Sequence, residues 1–413
     1  MYDVIVVGAR CAGSPLAMLL ARQGHRVLVV DRASFPSDTV STHYMHQSGL
    51  ARMKDWGLLD RLVATGVPAI RELNFTYTGV ALRGFADPVD GVDAVYCPRR
   101  TALDKILVDA AREAGAEVIE GFTVSGLVFD GDRVIGIRGQ EGDAPEQEFR
   151  AQIVVGADGV GSIVAKQAGA EIYRHLPAAG FVYYSYYSGL DWGMHHRTGF
   201  GEEQFGTWPT NDGLNLLAII RSADRFGEFR ADPERQFHDI FDTIDPQMGE
   251  QLRDAGKREE PFRPMRNPDN FYRRSWGPGW ALVGDAAYHK DPFTGWGITD
   301  AFRYSELLAQ QLHSALSGER SMPDALAEYE KVRDAESAGT FQLTCSLAKL
   351  KLTPYYDAVF RATSQSPSYT RKFFGLICGG YHGEEFFAPH NLEQLYDEVG
   401  TPAAQRVLTN PGE

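Results

Sequence analysis

Cysteine is scarce in this sequence and is not arranged for bridging or for metal binding. Only four cysteines occur among 413 residues, and they are widely scattered at Cys11, Cys97, Cys345 and Cys378. None of them forms a C-x-x-C pair, the spacing typical of redox and zinc sites. We therefore expect four reduced, mostly structural thiols and no bound metal.

Long apolar runs and an excess of basic residues are also missing. No apolar run approaches the roughly 20 residues that a membrane-spanning helix needs. Asp and Glu number 55 against 41 Lys and Arg, which gives a formal net charge of −14. This balance argues against nucleic acid or an anionic membrane as the partner, because both attract clustered basic side chains. We expect a small-molecule partner and no stable membrane insertion.

The chain has neither an evident leader nor an evident linker. Its first strand is expected to begin at Tyr2, which leaves no space for a cleavable signal and predicts a cytoplasmic protein. A single core stops growing near ~250–300 residues, yet no Pro/Ser-rich or charge-block segment separates two halves. We therefore expect two domains that are interleaved in sequence.

The N-terminus carries a nucleotide-binding pattern. In "YDVIVVGARCAGSPLAMLLARQGHRVLVVDR", a β-branched run over 4–7 ends at Gly8, an amphipathic stretch covers 13–23, and a second apolar run covers 27–30. This order predicts a β-turn-α-turn-β unit. The start of its helix would offer unpaired N–H groups to a pyrophosphate, and Asp31, eighteen residues after Gly13, could accept hydrogen bonds from a ribose.

The fingerprint G-x-G-x-x-G is incomplete here. Arg10 stands at the middle glycine, so an ordinary α/β turn with two glycines remains an alternative to a nucleotide site. In a nucleotide site, Arg10 would either bend away or place its guanidinium near the phosphates. The other glycine-rich strand end, "IVVGADGVGS" at 153–162, has Asp158 at the second glycine. We expect one nucleotide to be held permanently.

Three further stretches, with the N-terminal unit, resemble one family. They are "CPRRTALDKILVDAAREAGAEV", "IVVGADGVGSIVAKQAGA" and "WALVGDAAYHKDPFTGWGITDAF". In this order they resemble the FAD-dependent monooxygenases of the para-hydroxybenzoate hydroxylase type, over residues 2 to about 316. "FPSDTVSTHYMHQSG" and "GDAAYHKDP" look like a bacterial branch that is also related to geranylgeranyl reductases, and the wider superfamily includes flavin-dependent halogenases.

The resemblance implies an α/β protein in which a Rossmann-like FAD-binding fold is interleaved with an antiparallel-sheet substrate domain, followed by C-terminal helices. The expected boundaries are 1–72, 96–174 and 276–318 for the FAD-binding domain, 73–95 and 175–275 for the substrate domain, and 319–413 for the helices. The last segment could cap the cavity or form a dimer contact, so a monomer and a homodimer both stay open.

The resemblance also implies which residues hold FAD. Arg100, rather than its neighbour Arg99, is assigned to the phosphates, and Asp285 to the ribityl chain. The helix expected from Ile298 would point its positive end at the flavin edge that gains charge on reduction. The full expected set is Gly8, Arg10, Cys11, Ala12, Gly13, Asp31, Arg32, Arg100, Asp158, Gly284, Asp285, Pro292, Gly295, Gly297 and Ile298.

Local patterns near these motifs predict two further features. In "RRTALDKILVDAAREA", Thr101 and Asp104 are spaced like a helix N-cap and its third-position acid. After Asp158, the family has an arginine where Ala165 stands, followed here by Lys166. This difference leaves open whether NAD(P)H reduces the flavin directly or a separate reductase does.

Family logic implies FAD reduction by NAD(P)H, addition of molecular oxygen to give a flavin C4a-hydroperoxide, and oxygen transfer to an electron-rich ring. A base that deprotonates a phenol would accelerate this transfer by ~10²–10⁴-fold. We expect His43 as the first candidate, Lys290 as the second and His46 as a third. Each is weighed against an ordinary structural role, since a lone histidine is more often structural.

The middle segment is rich in tyrosine and predicts the substrate sheet. In "GFVYYSYYSGLDW", Tyr184 and Tyr186 share one face of a strand, and plain sheet packing is as good an explanation as a pocket wall. "FGTWPTNDGLNLLAII" predicts a hairpin that turns at Asn-Asp-Gly. We expect Phe205 and Trp208 to reach the substrate cavity.

The expected function is an FAD-dependent, NAD(P)H-consuming monooxygenase that hydroxylates an aromatic or polyketide-like small molecule in secondary metabolism. The runner-up is a reductase of isoprenoid double bonds, although the P-x-x-Y-x-W-x-F-P-K stretch of that group is absent. A halogenase ranks lower because its W-x-W-x-I-P signature is absent. A flavoprotein without turnover, or a scaffold that only binds a partner, is supported solely by the missing middle glycine.

Overall fold

The computed structural model describes residues 1–409, and the N-terminal pattern forms the centre of its first sheet. The elements of the first part of the chain are β1 (Tyr2–Val7), α1 (Gly13–Arg22), β2 (Val27–Asp31), α2 (Gln47–Asp55), α3 (Leu59–Val63), β3 (Leu73–Tyr77), β4 (Val80–Gly84), α4 (Arg100–Glu113), β5 (Glu117–Glu120), β6 (Phe122–Asp130), β7 (Arg133–Glu141), β8 (Gln147–Gly156) and α5 (Ile163–Gln167). The predicted β-α-β unit is therefore present.

The middle of the chain is mostly strand. Its elements are β9 (Ile172–Leu176), β10 (Gly180–Ser188), β11 (His195–Thr198), β12 (Glu203–Pro209), β13 (Asn215–Ser222), α6 (Phe226–Ala231), α7 (Pro233–Ile244), α8 (Pro246–Ala255), β14 (Lys257–Arg258), β15 (Arg263–Arg266) and β16 (Asn270–Arg273). The predicted hairpin corresponds to β12 and β13, joined by a turn at Asn211–Gly213.

The last part of the chain completes the first sheet and then turns helical. Its elements are β17 (Trp276–Gly277), β18 (Trp280–Leu282), β19 (Tyr288–His289), α9 (Gly297–Leu316), α10 (Met322–Leu347), α11 (Pro354–Thr363), α12 (Pro367–Cys378), α13 (Gly383–Phe386) and α14 (Pro389–Glu398). Helix α9 begins one residue before the expected position.

The first sheet is mixed, with parallel strands at its centre and antiparallel pairs at β17-β18 and β6-β7-β8. Its eight strands include the row β17-β18-β8-β1-β2-β5, and the β6-β7 hairpin joins it through β8. Strand β1 runs parallel to both β2 and β8, and β18 runs parallel to β8. Parallel strands buried on both faces read as continuous apolar runs, which is how β1 and β2 appear in the sequence. The predicted Rossmann-like fold is confirmed.

The second sheet is mainly antiparallel, in the order β14-β10-β13-β12-β11-β3-β4. Strands β3 and β4 come from the first quarter of the chain, yet β3 pairs in parallel with β11 of the middle segment. The two sheets are thus interleaved in sequence, as the predicted fold class requires. The individual domain boundaries stay a prediction.

Both faces of the second sheet are covered. Tyr184 and Tyr186 of β10 belong to the core beneath helices α11 and α12, whereas Tyr183 and Tyr187 pack towards α7 and α8. The predicted alternation of these tyrosines is confirmed, because successive strand side chains point to opposite faces. The C-terminal helices therefore form one wall of the space above β10, β12 and β13.

The predicted cap of α4 is wrong. The helix begins at Arg100, the preceding Arg99 supplies no side-chain cap, and Thr101 lies inside the first turn. Asp104, expected as the third-position acid of the cap, is fully buried and forms ion pairs with Arg100 and Arg10. The pair with Arg100 has the local i,i+4 spacing, but local spacing could not reveal the pair with Arg10, which is 94 residues away in the chain.

All four cysteines carry free thiols, and all except Cys345 are buried. Within residues 1–409, no helix combines the length and the apolar character that crossing a membrane requires.

Candidate cofactor and substrate site

A cavity of about 630 Å³ lies at the carboxyl ends of the parallel strands. Its walls include Gly8 after β1, Arg32 after β2, Asp158 after β8 and Gly284 after β18. In open α/β sheets this edge is where ligands bind, because the strand ends and the helix N-termini meet there. The volume lies in the range of ordinary cofactor sites.

The turn after β1 is held open for a ligand by its own backbone. Gly8 has a φ of 104°, and a Cβ on Gly13 would collide with the Gly8 carbonyl oxygen. Asp31 accepts the N–H groups of Ala9 at 2.7 Å and Ala33 at 2.8 Å, so its carboxylate fixes this turn while lining the cavity. The N–H groups at the start of α1 are thereby presented at the cavity, where a phosphate would be favoured.

Arg10 lines the cavity, and its guanidinium is held at one side of it. Its guanidinium pairs with Asp104, donates to Ser37 Oγ at 2.9 Å and to the Asp38 carbonyl at 3.3 Å. Arg100 donates to both Asp104 oxygens at 3.0 Å. The arginine at the middle-glycine position therefore leaves the groove open and ties it to the loop that follows β2.

The far end of the cavity is built from bare backbone. Gly295 has a φ of 69°, and a Cβ there would lie 2.7 Å from the Tyr44 ring. A Cβ on Gly297, the first residue of α9, would meet no described protein atom within 4 Å. The open space beside Gly297 and the N-terminus of α9 suit a planar ring that gains negative charge. These residues fit FAD.

The structure brings the sequence-predicted cofactor residues together. All of them line this cavity except Gly13, which lies beneath the turn and permits it. Asp285 lines it with a half-exposed side chain whose carboxylate is 3.7 Å from His289 Nδ1. Asp158 lines it too, and its Oδ1 has no hydrogen-bond partner within residues 1–409. An unpaired carboxylate oxygen is a ready acceptor for a ligand hydroxyl.

His43 is buried where the loop after β2 meets β10. Its backbone has a φ of 60°, its Nε2 is hydrogen-bonded to the Tyr186 hydroxyl, and its Nδ1 has no partner among the described residues. Burial, followed by the charges of Arg100, Arg99 and Arg263, holds the pKa of His43 well below its usual value. The imidazole is therefore neutral, and it lines the cofactor cavity.

Lys290 and His46 are placed differently from the expectation. Lys290 lines the cavity, but its ammonium pairs with Asp300 and donates to the Tyr288 hydroxyl at 2.7 Å. This arrangement favours a fixed cation over a base. His46 lies outside the cavity lining, donates to the Thr294 carbonyl at 2.8 Å, and has its pKa lowered to about 3 by burial. His46 therefore supports the wall instead of facing a ligand.

A second, apolar chamber lies behind the flavin end of the cavity. It has a volume of about 30 Å³ and is bounded by the second sheet, by Ile377 of α12 and by the segment Pro292–Gly295. Pro292 and Gly295 line both spaces, as do Thr42 and Tyr44. A molecule in the chamber would thus be separated from the cofactor cavity by a single layer of chain.

The expected substrate residues are only partly assembled at this chamber. Trp208 lines it. Tyr184 and Tyr186 lie behind the lining, where the Tyr184 hydroxyl accepts the Ser41 N–H at 3.2 Å and Tyr186 contacts His43. Phe205 is a correction: it points to the opposite face and stacks on Phe241 at a centroid distance of 4.1 Å. Residues 205 and 208 are separated by an odd number of positions, so one strand cannot present both to one face.

Tyr44 and His196 are among the lining residues that sequence reasoning missed. Tyr44 stands between the two histidines that were singled out, and its ring packs against His46 at 4.8 Å. His196 lies on β11, two strands away from β13, and its ring contacts Phe293 at 5.2 Å. The position of Tyr44 between two candidate histidines is a signal that could have found it, but the pairing of β11 with β3, which places His196, is not visible in the sequence.

Comparisons with known proteins identify the family of this chain. The family described as "FAD binding domain" matches residues 1–344. The digeranylgeranylglycerophospholipid reductase 2 of Methanopyrus kandleri is 27% identical over 368 residues, which cover 84% of this chain and 86% of the relative. The chain is thus similar to a curated reductase over most of both sequences.

Two solved structures have the same fold. The flavin-dependent brominase Bmp2 superposes with a TM-score of 0.80 at 19% identity, covering 96% of this chain and 99% of that one. PqsL of Pseudomonas aeruginosa, described as a probable FAD-dependent monooxygenase, gives a TM-score of 0.72 at 20% identity and covers 84% of this chain and 95% of its own. The family match confirms the resemblance noted in the sequence and the prediction of a flavin-dependent enzyme. The chain belongs to the FAD binding domain family and is an FAD-dependent oxidoreductase.

Proposed function

We propose that this protein is an NAD(P)H-consuming monooxygenase that uses FAD and molecular oxygen to hydroxylate an aromatic or polyketide-like small molecule. The observation that carries the proposal is the apolar chamber behind Pro292–Gly295, which shares this wall with the cofactor cavity. Oxygen transfer to an aromatic ring requires the ring to lie next to the flavin and away from bulk water.

Several groups of this chain would hold FAD. The N-terminus of α1 and Arg100 would face the pyrophosphate, Asp285 would accept hydroxyl hydrogen bonds, and the N-terminus of α9 would face the ring. FAD bound there supplies two-electron redox chemistry and the activation of oxygen. The ion pair of Lys290 with Asp300 keeps one further cation in the wall at this end.

His43 lines the cofactor cavity next to Thr42 and Tyr44, which line both spaces, and there it would accept a proton from a phenolic substrate that extends past this wall. The neutral imidazole has one nitrogen engaged by Tyr186 and one nitrogen free. When Nε2–H donates to the Tyr186 oxygen, the free Nδ1 carries the lone pair that a base needs. Tyr186 would thereby position the base, and Arg99, 3.8 Å above the Tyr186 ring, holds that ring in place.

The direct test follows oxygen into product. Purified holoenzyme is incubated with NADH or NADPH, isotopically labelled O₂ and a panel of phenolic and isoprenoid compounds. The proposal expects reductant consumption that depends on a phenolic compound, and one labelled oxygen atom in its product. Reductant consumption that yields only hydrogen peroxide with every compound would contradict it.

A reductase of isoprenoid double bonds is the second candidate, and the similarity to the Methanopyrus kandleri reductase favours it. A long isoprenoid chain needs an extended apolar tunnel, whereas the chamber is bounded by the second sheet, Ile377 of α12 and the segment Pro292–Gly295. The same experiment separates the two candidates, because a reductase would give a saturated double bond and an unlabelled product, even without oxygen.

A further inference from the structure

The apolar chamber has a lining that carries no charge. Its walls consist of aliphatic and aromatic side chains, glycines, a proline, two threonines and one neutral histidine. The lining residues are Thr42, Tyr44, Phe75, Tyr77, Val182, Met194, His196, Gly206, Trp208, Ala218, Ile220, Pro292, Phe293, Thr294, Gly295 and Ile377. An anionic ligand would find no lysine or arginine among these residues, and burying an unpaired carboxylate is strongly unfavourable.

Three polar atoms on these walls are left without a partner. Tyr44 Oη, Trp208 Nε1 and His196 Nδ1 are buried and make no hydrogen bond to any residue within 1–409. The three side chains are between 5% and 7% exposed. A buried polar group without a partner costs about 1–3 kcal/mol, so three on one small chamber are unusual for a space that stays empty.

All three unpaired groups can donate a hydrogen bond. An indole nitrogen donates only. The Gln204 amide nitrogen faces His196 Nε2, and burial lowers the pKa of His196 to about 3, so the neutral ring accepts at Nε2 and carries its proton on Nδ1. Burial raises the pKa of Tyr44 well above its usual value and keeps the phenol protonated. The chamber thus offers donors and lacks a charged acceptor.

We propose that the chamber binds a neutral, planar aromatic molecule whose carbonyl or other accepting oxygen is bound by the Trp208 indole N–H and the Tyr44 hydroxyl, and that it rejects aromatic carboxylates. This inference rests on the proposed function and narrows its substrate class. The aromatic rings of Phe75, Tyr77 and Phe293 supply the flat apolar surfaces, and the donors set the orientation.

Trp208 also makes room for the ligand. A volume of about 30 Å³ is close to the space of one water molecule. The indole lies directly over Gly206, where a Cβ would come within 2.7 Å of Cζ3 and 2.9 Å of Cζ2. Because the indole N–H has no partner, swinging the ring off Gly206 breaks no hydrogen bond. The ligand then gains both the vacated volume and the free donor.

The experiment compares three probes of similar size on the oxidised holoenzyme. They are 4-hydroxyacetophenone, which has a neutral carbonyl, 4-ethylphenol, which lacks the acceptor, and 4-hydroxybenzoate, which is an anion at pH 7.5. Binding is followed through the visible absorption of the flavin, without reductant. We expect 4-hydroxyacetophenone to bind about tenfold more tightly than either of the others.

Variants assign the effect to Trp208. Trp208→Phe keeps an aromatic ring and removes the donor, so the Kd of 4-hydroxyacetophenone should rise about tenfold while that of 4-ethylphenol changes little. Trp192→Phe is the matched control, since the Trp192 indole donates to Gln251 at 2.9 Å on the α7 and α8 side of the sheet. Tyr44→Phe, checked for full flavin content, is a second variant and should weaken the binding of 4-hydroxyacetophenone but not that of 4-ethylphenol.

The proposal is overturned if 4-hydroxybenzoate binds as tightly as the ketone, if none of the probes changes the flavin spectrum, or if Trp208→Phe and Tyr44→Phe leave the preference unchanged. These results leave the proposed function intact, because labelled oxygen can still enter a different substrate. Conversely, selective binding of the ketone without any labelled product would contradict only the proposed function.

Discussion

His43 combines three properties that seldom occur together in one histidine. It is fully buried, it adopts a left-handed backbone conformation, and its ring is neutral beside three arginines. Non-glycine residues with positive φ are uncommon and cluster at functional sites, where surrounding contacts hold them. The left-handed backbone and the unpaired Nδ1 mark His43, rather than Lys290 or His46, as the side chain to test for proton transfer.

Replacing His43 by asparagine should separate chemistry from cofactor binding. Asparagine tolerates the left-handed backbone at this position, so the loop is expected to keep its shape. Coupled product formation should fall by about 10²–10⁴-fold while FAD content stays unchanged. Asp285→Ala is the opposite control and should lose bound FAD. If His43→Asn formed as much product per NAD(P)H consumed as the unmodified protein, His43 would be excluded as the base.

The pH profile should show the unusual state of His43. Because the pKa of His43 is lowered, its neutral base form persists as pH falls. Titration of His43 should therefore cause no inflection of kcat/KM near the ordinary histidine pKa of about 6.5.

Burial raises the pKa of Asp291 to about 6, so protonation of Asp291 below pH 6 weakens its acceptance of the Phe293 N–H at 3.1 Å. An acid-side inflection near pH 6 should therefore disappear in Asp291→Asn.

At the scale of elements, Arg10 connects three parts that are distant in sequence. It lies in the turn before α1, pairs with Asp104 of α4 and donates to the loop at Ser37. That loop leads directly to His43. The missing glycine of the fingerprint is thus replaced by a tether between the turn before α1 and the loop that carries His43.

Removing this tether should cost stability. Arg10→Ala leaves Asp104 paired only with Arg100, and we expect the free energy of unfolding in urea to fall by about 1–3 kcal/mol, together with weaker FAD binding. Arg83→Ala is a suitable control, because Arg83 forms an exposed pair with Glu72 and should change stability by less than about 1 kcal/mol. Equal effects of the two variants would show that Arg10 is an ordinary surface arginine.

Elements that are defined by local sequence periodicity and turn residues could be predicted from the sequence, whereas pairings between distant strands could not. The β1-α1-β2 unit, the β12-β13 hairpin and the two faces of β10 follow from periodicity and turn residues. The small sheet β19-β16-β9 joins strands of two to five residues from distant parts of the chain. Asp104 was misread for the same reason, since its partner Arg10 is remote in sequence.

At the scale of the whole molecule, FAD would contact residues that are far apart in the sequence. The cavity is lined by residues from Val7 to Tyr304, so binding there links the first strand to α9. A ligand that binds only the folded state stabilises it by an amount that grows with the logarithm of the ligand concentration above its Kd.

Removal of FAD should therefore lower the stability of the whole chain. At a FAD concentration of about 100 times its Kd, the holoenzyme should be more stable than the apoprotein by about 2.7 kcal/mol. Thermal unfolding, followed by circular dichroism at several FAD concentrations, measures this difference. A melting temperature that is independent of FAD would indicate that the cofactor does not bind in this cavity.

The segment Pro292–Gly295 forms a partition with one face towards each compartment. Thermodynamic reciprocity follows if this partition shifts when either side is filled. Whatever factor the flavin contributes to the affinity of the aromatic molecule, the aromatic molecule must contribute to the affinity of the flavin. Tighter retention of the flavin in the presence of one compound of a panel would then serve as a screening signal for the substrate.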